Sequence, residues 1–365
     1  MNRAIKYKLY PTEEQATMFA KTFGCCRKIY NLMLADKIEY YREHKKMLQT
    51  TPAQYKEAYP YLKEVDSLAL ANVQLNLQSA YASFFRDKRV GFPKFKSAKH
   101  SRKSYTTNNQ KGTVALQGEH IRLPKIGLVK AIIHRKPADN WILKSATVSL
   151  ESDGKFYVSV LFEYTEEIPV VALSTEKAIG LDYKSDGLYM DSNGYSPKEH
   201  KYFRRSQNKL AKSQRKLRSK TVGSNNYKKQ QKKIAGIYSH AANQRKDFLH
   251  KESARIANLY DIVCVEDLNM KAIANKSFGN GKATLDNGYG MFLKMLEYKL
   301  ASLGKVLVKV DKWYPSSQIC SSCGSRKKMP LSDRTYRCTC GTVTDRDVNA
   351  ATNIMREGLH ILKIS

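Results

Sequence analysis

Four of the seven cysteines stand close together, as Cys320-x2-Cys323 and, fourteen residues on, Cys338-x-Cys340. Two close pairs of thiolates are what a tetrahedral structural zinc site needs, because each pair supplies a knuckle and the hairpin between them closes the shell. Gly324 and Gly341 directly follow the two pairs in a polar, turn-rich stretch, a poor place for unliganded buried thiols. The second pair is one residue tighter than the usual spacing. Cys25, Cys26 and Cys264 sit apart in apolar surroundings, so the pattern predicts one zinc site in a reducing compartment and no disulfide framework. A shell of four thiolates has no open position, and catalysis is expected elsewhere.

Three acidic residues carry that expectation. Asp182 ends the apolar run AIGLD, Glu266 ends IVCVE, and Asp347 lies just before the terminal helix in TDRDVNAA. Taken singly, each reads as a surface acid or a helix cap. A carboxylate at the end of an apolar strand costs free energy unless something compensates, and a shared divalent cation compensates several at once. Converging at the ends of neighbouring strands, the three would hold two Mg²⁺ or Mn²⁺ ions about 4 Å apart, one activating water and the other stabilising the departing 3′ oxygen of a phosphodiester. Oxygen ligands suit these hard cations and thiolates suit zinc, so the metals sort by ligand type. No His, Ser or Cys nucleophile scheme finds support.

Charge names the partner class. Lys and Arg number 64 against 33 Asp and Glu, a net +31 over 365 residues, which implies a polyanion. No long apolar run or signal peptide is visible, so a cytosolic nucleic-acid-binding protein is expected and not a membrane-bound one. The segment 201–233 has thirteen Lys or Arg and no acidic residue, with Arg205, Lys209, Lys212, Lys216 and Lys220 at helical spacing. A balanced run would be a solvated helix face; this unbalanced one repels itself unless a polyanion neutralises it.

Along the chain, a first strand (2–9) precedes a helical pattern after Pro11, and a second helix spans about 67–86. A basic, aromatic, turn-rich segment follows, expected as a surface loop or irregular strand. Short β-runs fill about 113–165. From near Glu176 the chain changes again: a tight hairpin, helices, the strand DIVCVEDL, a Gly- and Asn-rich loop, an amphipathic helix, the strand KVLVKV, the cysteine cluster and a terminal helix. Strands alternating with helices argue for an α/β domain.

GLDYKSDGLYMDSNG, IVCVEDLNMKAI and PSSQICSSCGSRKK…LSDRTYRCTCGTVTDRDVNAATNI resemble, in order and spacing, the three RuvC motifs and zinc ribbon of transposon-encoded TnpB proteins, relatives of type V CRISPR effectors. The similarity is strong over about 180–360 and looser before it, through KYKLYPTEEQ, CCRKIYNLML and SAYASFFR…GFPKFK. It implies an α/β RuvC (RNase H-like) nuclease domain at 176–314 and 344–365 with a zinc ribbon inserted at 315–343. It also implies a wedge-like β-barrel at 1–10 and 90–172 carrying a helical recognition insert at 11–89. Asp182, Glu266 and Asp347 would be the catalytic triad, with Asp345 a rival for the third place, and Cys320, Cys323, Cys338 and Cys340 the zinc ligands. The family often has Gly two residues after the first Asp, where this chain has Lys184, a side chain that could crowd the metal site.

The same resemblance implies a guide RNA, a double-stranded DNA target and a displaced single strand as partners, with a monomer favoured. The basic segment, with Arg245 and Lys246, would line a channel for the RNA–DNA heteroduplex, and base pairing would read the sequence. A short motif beside the target would be read by Asn72, Gln74, Asn76 and Gln78, since amides pair with adenine in the major groove, and by Ser104, Thr106, Thr107 and Asn108 in the loop after GFPKFK. Tyr81, Phe84, Phe85, Phe92 and Phe95 are expected mainly in the core. Competing readings are a nuclease-inactive RNA-guided repressor, against which the intact carboxylates argue, a DNA transposase using the same acids without RNA, and an inactive zinc-ribbon RNA-binding protein, which leaves those carboxylates unexplained.

Overall fold

The alternation of NRAIKYKLY is realised in strand β1 (Asn2–Tyr10), whose Ile5, Tyr7 and Leu9 turn inward while most of their neighbours face out. The computed structural model describes residues 1–87, 89–165, 167–198, 201–275, 281–330 and 333–363. Part of the expected Gly- and Asn-rich loop, 276–280, falls outside them; the residues on either side form two short helices. The chain divides into two units, Met1–Glu166 and Glu167–Ser365, the second beginning earlier than the change expected near Glu176. Among the described residues no helix is long and apolar enough to cross a membrane.

In the first unit, Thr12 and Gln15 form a reciprocal capping box that starts helix α1 (Glu13–His44). The Asp66 carboxylate accepts the Leu68 N–H at 3.1 Å and starts α2 (Ser67–Arg86). Strands β2 (Lys103–Asn108), β3 (Ala115–Gln117), β4 (His120–Leu123), β5 (Gly127–Ile132), β6 (Ile142–Leu150) and β7 (Phe156–Glu163) then join β1 in one sheet, ordered β2-β6-β7-β1-β5-β4-β3. The strand that begins the chain thus lies in mid-sheet, paired antiparallel with both β5 and β7. One core joins this sheet to α1 and α2.

Two expectations for this unit are corrected. Ser104, Thr106, Thr107 and Asn108 belong to strand β2, paired along its length with β6, and not to a loop; Thr107 is fully buried and offers nothing to a ligand at the surface. Of the five aromatic residues expected in the core, Tyr81 is buried, but Phe85, Phe92 and Phe95 are exposed. Three of the five, Phe84, Phe85 and Phe92, pack on one another beyond the end of the apolar face of α2.

In the second unit, β8 (Ala178–Tyr183) and β9 (Tyr189–Asp191) form the expected hairpin. Helices α3 (Tyr202–Arg218) and α4 (Asn225–Leu259) pack together, Gln230 donating to the Ser213 carbonyl at 2.9 Å. Helix α4 starts at Asn225 because the Ser224 hydroxyl accepts the Tyr227 N–H at 3.1 Å. Strand β10 (Ile262–Glu266) lies parallel to β8; α5 (Met270–Ile273), α6 (Gly281–Asn287) and α7 (Tyr289–Ser302) lead to β11 (Val306–Val310), parallel to β10 on its other side. The hairpin of β12 (Thr335–Arg337) and β13 (Val343–Asp345) runs directly into the terminal helix α8 (Arg346–Leu362).

The strand order β11-β10-β8-β9 is buried on both faces, which is why β8 and β10 read as unbroken apolar runs. Successive residues alternate between faces. Ile179, Leu181, Val263 and Val265 join the core with α4 and α7, while Ala178, Ile262, Cys264, Val308 and Val310 pack with Ile354 of α8. Gly180 lies on the α8 side, where a Cβ would collide with the helix backbone.

Candidate active site

Parallel pairing brings Asp182 and Glu266 together. The register between β8 and β10 ends at Leu181 and Val265, so the two acids stand side by side one residue further on. Residues paired in parallel strands share a face, and by alternation this is the face covered by α8. Asp347, in the first turn of α8, completes the group: all three line one open cleft, together with Lys312, Trp313, Arg334 and Arg346. Capping of α8 falls to Asp345, whose Oδ1 accepts the Asp347 and Val348 N–H groups at 2.8 and 3.2 Å. That leaves the Asp347 carboxylate free for the cleft.

Burial pushes Asp182 well above the usual carboxylate range, with the charges of Glu266 and Asp347 adding to it and Arg346 and Lys184 opposing it. Burial likewise raises Glu266, against a hydrogen bond of 2.6 Å from the Ser316 hydroxyl. Lys184 Nζ lies 3.3 Å from Asp347 Oδ2, so the lysine does reach the acidic group. A buried carboxylate whose pKa is raised further by two acidic neighbours, as for Asp182, is the kind of group whose charge a divalent cation would relieve.

The four cysteine Sγ atoms lie within 4.8 Å of one another. Cys320 and Cys340 are 3.7 Å apart and Cys323 and Cys338 3.6 Å, close to the edge of about 3.8 Å that a tetrahedron with Zn–S bonds of about 2.3 Å requires. The cluster can hold a metal ion. Gly324 and Gly341 have φ of +74° and +92°, the left-handed conformation that lets the chain turn after each pair. The tight second pair is accommodated by a turn in which Gly341 N–H donates to Cys338 O at 3.1 Å and Cys338 N–H to Thr342 O at 2.9 Å. The Cys340 backbone N–H and then the Ser325 hydroxyl lower the Cys338 thiol to about 5.

The ribbon is fastened to α8 by residues that sequence reasoning missed. Buried Asn349 and Asn353 donate to the Ile319 carbonyl at 2.7 and 2.6 Å, and Asn353 also to Ser316 O at 2.8 Å. They thereby position both the first cysteine pair and the hydroxyl that holds Glu266. An amide pair one helical turn apart in NAATN was the available signal. Ser316 carried none.

The remaining candidates are less gathered. Asn76 is exposed and lines a cleft with Thr106, Arg27, Lys96 and Arg102. Asn72 is half-buried and bonds the Leu68 carbonyl of its own helix. Gln74 and Gln78 lie roughly 200° round the helix from Asn72 and Asn76, so the four amides do not share a face. Thr106 is tied to Thr147 at 2.8 Å, and Asn108 is half-buried. Arg205, Lys209, Lys212 and Lys216 are exposed on α3, whereas Lys220 falls beyond its end.

Compared with known proteins, residues 160–277 match the family described as "Probable transposase" (OrfB of IS605), 289–354 the "Cas12f1-like, TNB domain", and 1–46 an OrfB "Helix-turn-helix domain". Here the last of these is one strand and one long helix. The chain is 36% identical, over 98% of its length and 90% of the relative's, to a Streptomyces pristinaespiralis protein named as a candidate RNA-guided DNA endonuclease. InsQ of Escherichia coli K12, named likewise, is 30% identical over 99% of this chain and 93% of its own. In fold the chain resembles Cas12f1 from a cryo-EM complex with guide RNA and target DNA, with a TM-score of 0.61 over 97% of this chain and 98% of that one, at 13% identity. The chain belongs to the transposon-encoded TnpB family.

Proposed function

We propose that this protein is an RNA-guided DNA endonuclease encoded by a transposable element, and that Asp182, Glu266 and Asp347 form its cutting centre. The observation that carries the reading is the meeting of three carboxylates from β8, β10 and α8 in one cleft whose other charged residues are cationic. The names of the relatives support the RNA-guided part. Asp182, Glu266 and Asp347 would hold two Mg²⁺ or Mn²⁺ ions, which when bound supply an activated water and charge neutralisation for the departing 3′ oxygen. Ser316 would orient Glu266, and Arg334 and Arg346 would attract the phosphate backbone. Cys320, Cys323, Cys338 and Cys340 would hold one zinc ion with no catalytic part.

By the same reading the wedge-like barrel (1–10, 90–172) with its recognition insert (11–89) makes up the first unit, the barrel's last residues, 167–172, falling in the second, and the second unit otherwise is the RuvC-like nuclease (176–314, 344–365) with its ribbon (315–343). Helix α3, through Arg205, Lys209, Lys212 and Lys216, and Lys220 after it would follow the guide–target duplex. Asn76 and Thr106 are the best placed of the motif-reading candidates. A transposase acting without RNA is the second reading, favoured by the description of the family matched at 160–277.

The deciding experiment is to express the gene with its native flanking DNA, purify the protein and sequence the RNA that accompanies it. A discrete RNA ending in sequence from outside the element is expected, and should direct Mg²⁺-dependent cleavage of matching DNA. Heterogeneous RNA, or none, would leave the transposase reading standing.

A further inference from the structure

The loop between β11 and the first cysteine pair presents an aromatic ring that the fold does not use. Trp313 is 80% exposed, more than any other aromatic side chain among the described residues. A loose loop does not account for this. Trp313 N–H donates to Asp311 Oδ1 at 2.7 Å, Tyr314 N–H to Asp311 O at 3.0 Å and Ser316 N–H to Tyr314 O at 2.8 Å. The next side chain, Tyr314, packs inward on the α8 core. The backbone is held in a fixed run of turns and the indole is left outside.

Its surroundings say what would cover it. Trp313 lines the same cleft as Asp182, Glu266 and Asp347, and the other charged residues there are Lys312, Arg326, Arg334 and Arg346. Lys312 Nζ stands 5.2 Å from the ring centroid. An aromatic face among cations suits neither an apolar protein surface nor a cationic peptide; it suits a polyanion that carries flat aromatic groups. Paired bases inside a duplex hide their faces, whereas an unpaired strand offers them.

We propose that Trp313 stacks on an unpaired base of the DNA strand entering this cleft, and so positions the neighbouring phosphate over the carboxylates. It is a positioning residue, acting through the base and not on the reacting atoms. The inference rests on the nuclease reading of the three acids, but the stacking can be measured apart from it.

The chain has two tryptophans, and the other, Trp141, stacks on Tyr164 with ring centroids 4.5 Å apart. Trp141→Phe keeps a ring there and makes Trp313 the sole tryptophan, excited selectively at the red edge of its absorption where tyrosine does not absorb. The full-length variant, as purified, is titrated in divalent-free buffer with a short oligothymidylate, its RNA counterpart and a duplex of equal length. Saturable quenching by single-stranded DNA, and little by the duplex, is expected. In guided cleavage, Trp313→Ala should raise KM about ten-fold, the weight of one base–aromatic stack, with kcat less affected and Trp313→Phe recovering part of the loss. Absence of quenching, equal quenching by duplex, quenching by RNA alone, or unchanged KM in Trp313→Ala would overturn the proposal. Quenching by DNA in a protein that cuts nothing would uphold the platform and sink the nuclease reading; lost quenching beside normal cleavage would do the reverse.

Discussion

A Cβ built on Gly180 would stand 1.9 Å from the carbonyl oxygen of Ala351 and 2.8 Å from the amide nitrogen of Met355. Both atoms belong to the backbone of α8, so no side chain can rotate aside. Strand β8 therefore meets the helix backbone on backbone, and this approach sets the height of Asp347, one turn before Ala351, against Asp182. Gly180→Ala should force the helix outward, destabilising the protein by about 1–3 kcal/mol. Cleavage should fall at least 100-fold, since a shift of about 1 Å in a catalytic group costs that much. A thermal melt and a single-turnover cleavage assay test this; a variant normal in both would show that this contact does not seat α8.

Asp182 links the site to stability. Its folded-state pKa is raised by burial and by Glu266 and Asp347, so the folded protein holds the proton more tightly than the unfolded chain does. Stability without divalent cations should accordingly fall as pH rises from near the unfolded value, 3.8, through the folded one. Asp182→Asn removes the penalty. In Mg²⁺-free buffer at neutral pH it should melt about 2–4 °C above the native protein, the shift given by about 1 kcal/mol in a domain of this size. The gap should close as pH approaches about 4. The same variant, like Asp182→Ala and Glu266→Ala, should cut no DNA while still binding RNA. Wild-type cleavage in any of them would remove the triad assignment.

The Lys184 ammonium is 3.3 Å from Asp347, with both side chains about one-fifth exposed (21% and 18%). A cation already beside the carboxylate competes with a divalent ion. For a partly exposed pair worth about 1 kcal/mol, Lys184→Gly should lower the Mg²⁺ needed for half-maximal cleavage about five-fold. If kcat falls while the Mg²⁺ requirement stays put, the lysine serves the phosphate and not the metal site.

Asp182 and Glu266 are legible in the sequence because each ends an apolar run, and the cysteine cluster because thiol pairs at short spacing have few other uses. The approach of Gly180 to Ala351 could not be read, since a glycine within AIGLD gives no sign of what faces it. Asp345 and Asp347 sit two residues apart before one helix, and only the backbone decides which caps it and which enters the cleft. Thr107 illustrates the opposite failure: KSYTTN reads as polar and loop-like, yet the alternation that buries Tyr105 buries Thr107 with it in β2. Phe85 and Phe92 were expected inside on hydrophobicity alone, but they lie where the apolar face of α2 has run out.

The cysteine cluster and the acidic cleft are held by two sets of contacts that can be cut separately. The cysteine shell closes the ribbon upon itself, whereas Asn353 ties the Ser316 and Ile319 carbonyls to α8 at 2.8 and 2.6 Å. Purified protein should release one zinc per chain when its thiols are modified. Cys323→Ser breaks the shell, so soluble yield and melting temperature should drop, while cleavage per folded molecule drops less because the Asn349 and Asn353 bonds do not depend on the metal. Asn353→Ala should behave oppositely: zinc content stays at one per chain, but the segment carrying Ser316 loosens, Glu266 loses its orienting hydroxyl, and cleavage falls about ten-fold, the value of one hydrogen bond to a charged group. Zinc content, melting temperature and single-turnover rate in the two variants decide the matter; full thermal stability in Cys323→Ser would show that the ribbon needs no metal to fold.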